Sequence, residues 1–221
     1  MLQILISVDT LAYPISIFLA LKTILFRTSR GYAMPRMNIL NKSEQEMFDA
    51  PPVFSSAERK RFCNFQNSLK EKTETLRKPS TKIGFLLSCG YFKATKRFFK
   101  PEDYHQNDIA YVARILNLLP DQFAPEQYVQ STRHWHQDII LEFYGYRRFD
   151  QQSLDAISEE IISMMRSQLK PRLIFWRCID VLIRERVQIP AYFQLSELIL
   201  KAVNQRKKEL AAVIRQELRK L

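Results

Sequence analysis

The sequence predicts an all-α fold, a multi-helix bundle divided into two small helical subdomains, and three observations lead there. Two S-x-x-E capping boxes, Ser43-Glu-Gln-Glu46 and Ser55-Ser-Ala-Glu58, stand where helices should start. Apolar residues recur at helical spacing through most of the chain. No run alternates polar and apolar residues long enough to make a strand. With 46% hydrophobic residues in 221, the chain can bury a core and does not have the composition of a disordered tail.

The first thirty-three residues differ in character from the rest. Leu11 to Phe26 is a mostly apolar run of sixteen residues, where a membrane-spanning helix needs about 20. Pro14 and Lys22 interrupt it and no basic residue precedes it, which makes a poor signal peptide and a marginal anchor. Met34 and Met37 stand just before the first punctuated helix. The favoured reading of residues 1–33 is therefore an extension from an early-called start, with a membrane anchor as the runner-up. Residues 34–150 are expected to form the first subdomain. Residues 151–221 are expected to form the second, incomplete at its C-terminus.

The helices follow in order. The Ser43 box opens one that Asp49-Ala-Pro-Pro-Val breaks. The Ser55 box opens a second, expected to run through Arg59, Lys60, Arg61 and Phe62 toward Lys78-Pro79. Lys82 to Lys100 reads as a third. Asn107 to Leu119 is apolar at helical spacing and stops at Pro120, and Ser131 to Tyr144 is closed by Gly145, which suits a left-handed cap. Leu154, Ile157, Ile161, Met164 and Met165 mark the next helix. Pro171 opens another as a first-turn proline, and Ile189-Pro190 ends it. The last, from Gln194, places Leu195, Leu198, Ala202, Leu210, Val213, Leu218 and Leu221 near one side and reaches the final residue uncapped, as an element that continues would.

Charge is unevenly spread. The net is +11, yet residues 34–100 hold fourteen basic residues against six acids, while residues 101–221 hold seventeen against sixteen. A concentrated excess suits a nucleic-acid face or an anionic membrane face better than it suits mere solubility. Its densest part, Lys82 to Lys100, has five basic and five aromatic residues and no acid. Wound as a helix, Lys82, Lys93, Arg97 and Lys100 fall within roughly 60°, beside Phe85, Cys89, Phe92 and Phe99. Such a helix would bury one side and lay the other along a phosphate backbone. A core helix with solvated lysines is the plain alternative.

Other chemistries find little support. Cys63, Cys89 and Cys178 lie far apart with no C-x-x-C pair, so neither a disulfide framework nor a zinc knuckle is read. His134 and His136 point about 160° apart on a helix and cannot share a metal. There is no G-x-x-x-x-G-K-S/T, G-x-G-x-x-G or G-x-S-x-G, and four glycines make phosphate-cradling loops improbable. No cofactor, metal or small-molecule ligand is expected.

The order of these pieces resembles the N-terminal region of the replicative transposases of class II bacterial transposons, the Tn-three family. The resemblance rests on Met34-Pro-Arg-Met-Asn-Ile-Leu-Asn, Glu44-Gln-Glu-Met-Phe-Asp with Pro51-Pro and Phe54, and Phe85-Leu-Leu-Ser-Cys-Gly-Tyr-Phe-Lys-Ala ending in Lys96-Arg-Phe-Phe. It continues through Asp108-Ile-Ala-Tyr-Val-Ala-Arg, Arg133-His-Trp-His-Gln, Leu141-Glu-Phe-Tyr-Gly and Ile189-Pro-Ala-Tyr with Leu195, and spans Met37 to Leu221. It implies a helical region that recognises terminal inverted repeats in double-stranded DNA, in a bacterial cytoplasmic, nucleoid-associated protein, with self-association in a transpososome. The family's catalytic acids belong to an RNase H-like domain that no position here matches, so the chain is not expected to be an enzyme and no catalytic residue is carried over.

Charge clustering and resemblance together nominate Lys82, Lys93, Lys96, Arg97 and Lys100 as phosphate contacts. Arg59 and Lys60 stand beside them as candidates. Arg133 and His134 open a helix after Ser131, where backbone amides also meet phosphate, and Arg147-Arg148 follows Gly145. Phe85, Leu86, Leu87, Phe92, Phe98, Phe99 and Trp135 are expected in the core. Two other classes stay open: an inner-membrane protein with a basic cytoplasmic face, and a helical protein-interaction module.

Overall fold

The computed structural model describes residues 38–167 and 170–219, and the expectation for residues 1–33 lies outside them. The fold is all-α, with nine α-helices and no strand among the described residues. The first four are α1 (Lys42–Asp49), α2 (Ser56–Phe62), α3 (Asn67–Glu74) and α4 (Pro79–Thr95). They are followed by α5 (Gln106–Ile115), α6 (Gln130–Tyr144), α7 (Gln151–Ser167), α8 (Pro171–Arg184) and α9 (Tyr192–Leu218). Among these helices none is long and apolar enough to cross a membrane.

Local chemistry explains most boundaries. The Ser55–Glu58 box forms as expected: the Ser55 hydroxyl accepts from the Glu58 amide, and the Glu58 carboxylate accepts from the Ser55 amide at 2.9 Å. The first box sits two residues earlier than expected. Asn41 and Glu44, not Ser43 and Glu46, exchange the two hydrogen bonds at 2.9 Å each. Leu40, only 2% exposed, is inserted in the core and fixes where the helix can begin. The long helix expected from Ser55 to Pro79 is two helices. Cys63, Phe65 and Leu69 are all buried, and no continuous helix turns positions 63 and 65 to the same side. α6 starts at Gln130 with no side-chain cap, while Gly145 closes it at φ 67°.

α4 departs most from the amphipathic picture. Its residues from Ile83 to Phe92 are all buried, so it is the enclosed axis of a first core with α2, α3, α5 and α6 around it. The helix ends at Thr95, and Lys96 adopts the left-handed conformation with φ 59°. Arg97, Phe98, Phe99 and Lys100 therefore leave the helical register assumed for them, with Lys100 held extended before Pro101. Phe98 and Phe99 still pack on the core as expected. Trp135, expected in the core, is 52% exposed on α6.

A second core gathers Ile157 and Ile161 of α7, Ile174, Phe175, Cys178 and Leu182 of α8, and Leu195, Ile199 and Val203 of α9. Ile39 and Leu40 join it from the start of the described chain, with Phe48 packed against it. The cores meet at a polar seam. Asp49 Oδ1 accepts from Arg97 Nη2 at 2.5 Å and from the Tyr192 amide at 3.0 Å. Beside it, Arg147 makes an isolated parallel bridge to Val187, and the Ile189 amide donates to the Lys96 carbonyl at 3.0 Å.

Candidate nucleic-acid interface

The turn after α4 and the turn after α8 bring two cations to one aromatic ring, with Lys93 of α4 beside Lys96. Lys96 Nζ lies 5.7 Å and the Arg186 guanidinium 5.5 Å from the Tyr146 ring centroid. Lys96 Nζ also donates to the Lys93 carbonyl at 2.6 Å, and Lys93 Nζ donates to the Arg61 and Asn64 carbonyls at 3.0 and 3.4 Å. Burial holds the Lys96 ammonium below its usual range, and the charges of Arg186 and Lys93 push it the same way. Among the ion pairs of the described residues none neutralises Lys93, Lys96 or Arg186.

The backbone at this cluster is strained. Only Lys96, Asn117 and Arg186 among the described non-glycine residues have positive φ, and the two basic ones, at 59° and 55°, both present their charge to Tyr146. A left-handed residue with a Cβ costs on the order of 1 kcal/mol, and strain of this kind concentrates at ligand clamps. Three cations crowded without a carboxylate add repulsion. An anion placed among them would offset that repulsion.

The remaining sequence candidates divide by their partners. Arg97 is turned inward, 7% exposed, bonded to Asp49 and lying 3.9 Å from the Phe48 ring centroid; it braces the seam, and its head group does not face solvent as the helical reading required. Arg59 is likewise committed, its Nε 2.6 Å from the fully buried Asp108 and its Nη2 2.9 Å from the Phe54 carbonyl. Arg147 pairs with Asp150, and Arg148 with Asp138 at 2.7 Å while donating to the His134 carbonyl. Lys60 and Lys100 are exposed, Arg133 is half-buried and His134 exposed in the first turn and a half of α6. Lys82 lies in the first turn of α4 and lines a separate cleft with Lys70, Glu74 and Leu118. Lys82 is thus some 16 Å along the helix from Lys93, at 1.5 Å per residue.

Sequence reasoning missed Arg186 and Tyr146. Nothing in Arg184-Glu185-Arg186-Val187 marks a left-handed turn, because such turns favour glycine. Among the described residues no three of His, Cys, Asp and Glu converge as metal ligands. A family profile described as a domain of unknown function, DUF4158, matches residues 39–202. The chain belongs to the DUF4158 family. That match begins at Ile39 of the second core and ends one residue before Val203, so the first core, the second core except Val203, and the Lys93, Lys96, Arg186 and Tyr146 cluster lie inside the DUF4158 region. No curated protein matches the chain.

Proposed function

We propose that this chain is a DNA-binding region of a transposase, of the kind that recognises the terminal inverted repeats of a transposon. The observation that carries the reading is the Lys93, Lys96 and Arg186 cluster, unneutralised by carboxylate, with two members held in left-handed backbone beside Tyr146. A line of phosphates answers such a group, since each neutralised phosphate releases counterions. The DUF4158 domain is found in transposase-related proteins, and the sequence resembles the N-terminal region of Tn-three family transposases; both support the same reading. In it the chain holds DNA in the bacterial cytoplasm and neither cuts nor joins it.

The test is the Lys93→Gln/Lys96→Gln/Arg186→Gln variant, titrated with fluorescent duplex DNA over a salt series. If each side chain neutralises one phosphate, the log-affinity against log-salt slope flattens by about 2.7, at about 0.9 per contact. A folded variant that keeps the parent's affinity and slope removes the DNA reading from these residues. Magnesium-dependent strand cleavage by the parent refutes the binding-only role. A second reading, self-association or docking to another protein, is favoured by one observation: Met47, Leu173, Trp176 and Ile183 are each more than 40% exposed, and Met47 and Trp176 share a groove with Leu40 and Phe48. Sedimentation across a concentration series distinguishes a dimer from a monomer.

A further inference from the structure

A second feature, separate from the Tyr146 cluster, is a cleft of about 450 Å³ between α2 and α5. Ser56, Arg59 and Lys60 line it from α2, and Asn107, Tyr111 and Arg114 line it from α5. These positions are i, i+3, i+4 on one helix and i, i+4, i+7 on the other, so each set forms one face. No carboxylate lines the cleft, although residues 101–221 carry sixteen acids. Lys60 and Arg114 are exposed across it, and neither belongs to an ion pair among the described residues.

The walls are fixed from behind. Asp108 of α5, fully buried, accepts from Arg59 Nε at 2.6 Å and from the Tyr91 hydroxyl at 2.8 Å. Arg59 also donates to the Phe54 carbonyl just before α2. The pair holds α2 to α5 and spends the Arg59 charge inside the fold, leaving the cleft's net charge to Lys60 and Arg114. Small-molecule pockets are mostly apolar with a few placed polar groups. This cleft is more evenly mixed: Ala110 and the Tyr111 ring share its lining with two cations, a serine, an asparagine and the tyrosine hydroxyl, which are phosphate and sugar donors.

From this geometry we infer that the α2–α5 cleft is a second backbone-contact site for duplex DNA, with Lys60 and Arg114 clamping the phosphodiester and Ser56, Asn107 and Tyr111 supplying neutral hydrogen bonds. The inference rests on the DNA-binding reading and adds to it a second point of contact on α2, whose Arg61 carbonyl already meets Lys93. Two points of contact fix the register of a rod where one does not.

The test uses the full chain and a random-sequence DNA duplex. Lys60→Gln/Arg114→Gln is compared with Lys201→Gln/Lys207→Gln, which removes the same charge from exposed positions of α9. The cleft variant is expected to flatten the salt slope by about 1.8 and weaken binding roughly tenfold, with the α9 variant close to the parent. Circular dichroism checks folding, and Lys60→Glu/Arg114→Glu should abolish binding if the site is real. Equal effects from the cleft and α9 variants, or none from either, overturn the cleft assignment while the Tyr146-cluster variant still tests the broader reading. A parent without salt-dependent DNA binding sinks both. Duplex RNA bound as tightly as DNA, with the same loss in the cleft variant, overturns the assignment to DNA.

Discussion

At the scale of single residues, the buried polar groups set the clearest expectations. Asp108 is fully buried and its partner Arg59 is partly buried, and removing one member of such a pair strands the other charge. Asp108→Ala should cost about 3–5 kcal/mol in urea unfolding, whereas Lys60→Gln, on the adjacent exposed position, should stay within about 0.5 kcal/mol. His136 gives a pH signature. It is fully buried, with its Nδ1 2.7 Å from the Tyr128 hydroxyl, and burial depresses its pKa to about 4 from a usual 6.5. The unfolded chain then binds a proton that the folded chain refuses between those values, so the His136 contribution to stability is whole above pH 6.5 and is lost as pH falls toward 4. His136→Gln should flatten that part of the stability profile. Lys93 and Lys96 were legible as candidates because basic residues cluster in the sequence itself. The carboxylate partners of Arg59 and Arg97 were not legible for a physical reason: they lie 49 and 48 residues away in sequence, which local pattern cannot show.

At the scale of elements, capping registers can be separated by mutation. Asn41→Ala and Ser55→Ala should each cost about 1 kcal/mol, and Ser43→Ala almost nothing, since Ser43 stands inside α1. Equal losses at Asn41 and Ser43 would contradict the observed cap. Gly84 tests the packing of α4. A Cβ there would meet Tyr128 Cδ1 at 2.5 Å, and the Tyr128 ring is held by burial and by its contact with His136. In an exposed helix Gly→Ala gains up to about 1 kcal/mol, so a net loss of about 1–3 kcal/mol for Gly84→Ala would report the close approach. Helices whose signals are local, such as the Ser55 box, Pro171 at the start of α8 and Gly145 at the end of α6, could be read from sequence. The break at Cys63 and the left-handed turns at Lys96 and Arg186 could not, because tertiary burial of Cys63 and Phe65 and the seam at Ile189 decide them.

At the scale of the molecule, Asp49 ties the two cores by accepting from Arg97 and from the first amide of α9. Asp49→Ala leaves Arg97 buried without its carboxylate and should lower stability by about 2–4 kcal/mol. It should also uncouple the cores: hydrogen exchange in α8 is expected to rise ahead of exchange in α4, relative to the parent. Parallel loss of protection in the variant would show that the seam is held by other contacts. The arrangement of the second core has a consequence for synthesis. Ile39 and Leu40 are buried in a core whose other buried members all lie in residues 157–203, and Phe48 packs against it, whereas the first core draws on residues 54–146. At 5–20 residues per second, roughly 5–20 s pass on the ribosome between the emergence of α1 and that of α7. For that interval the nascent chain carries a finished first half and a sticky, unsheltered leading helix, an opening for chaperones and for mispairing between neighbouring chains on one messenger.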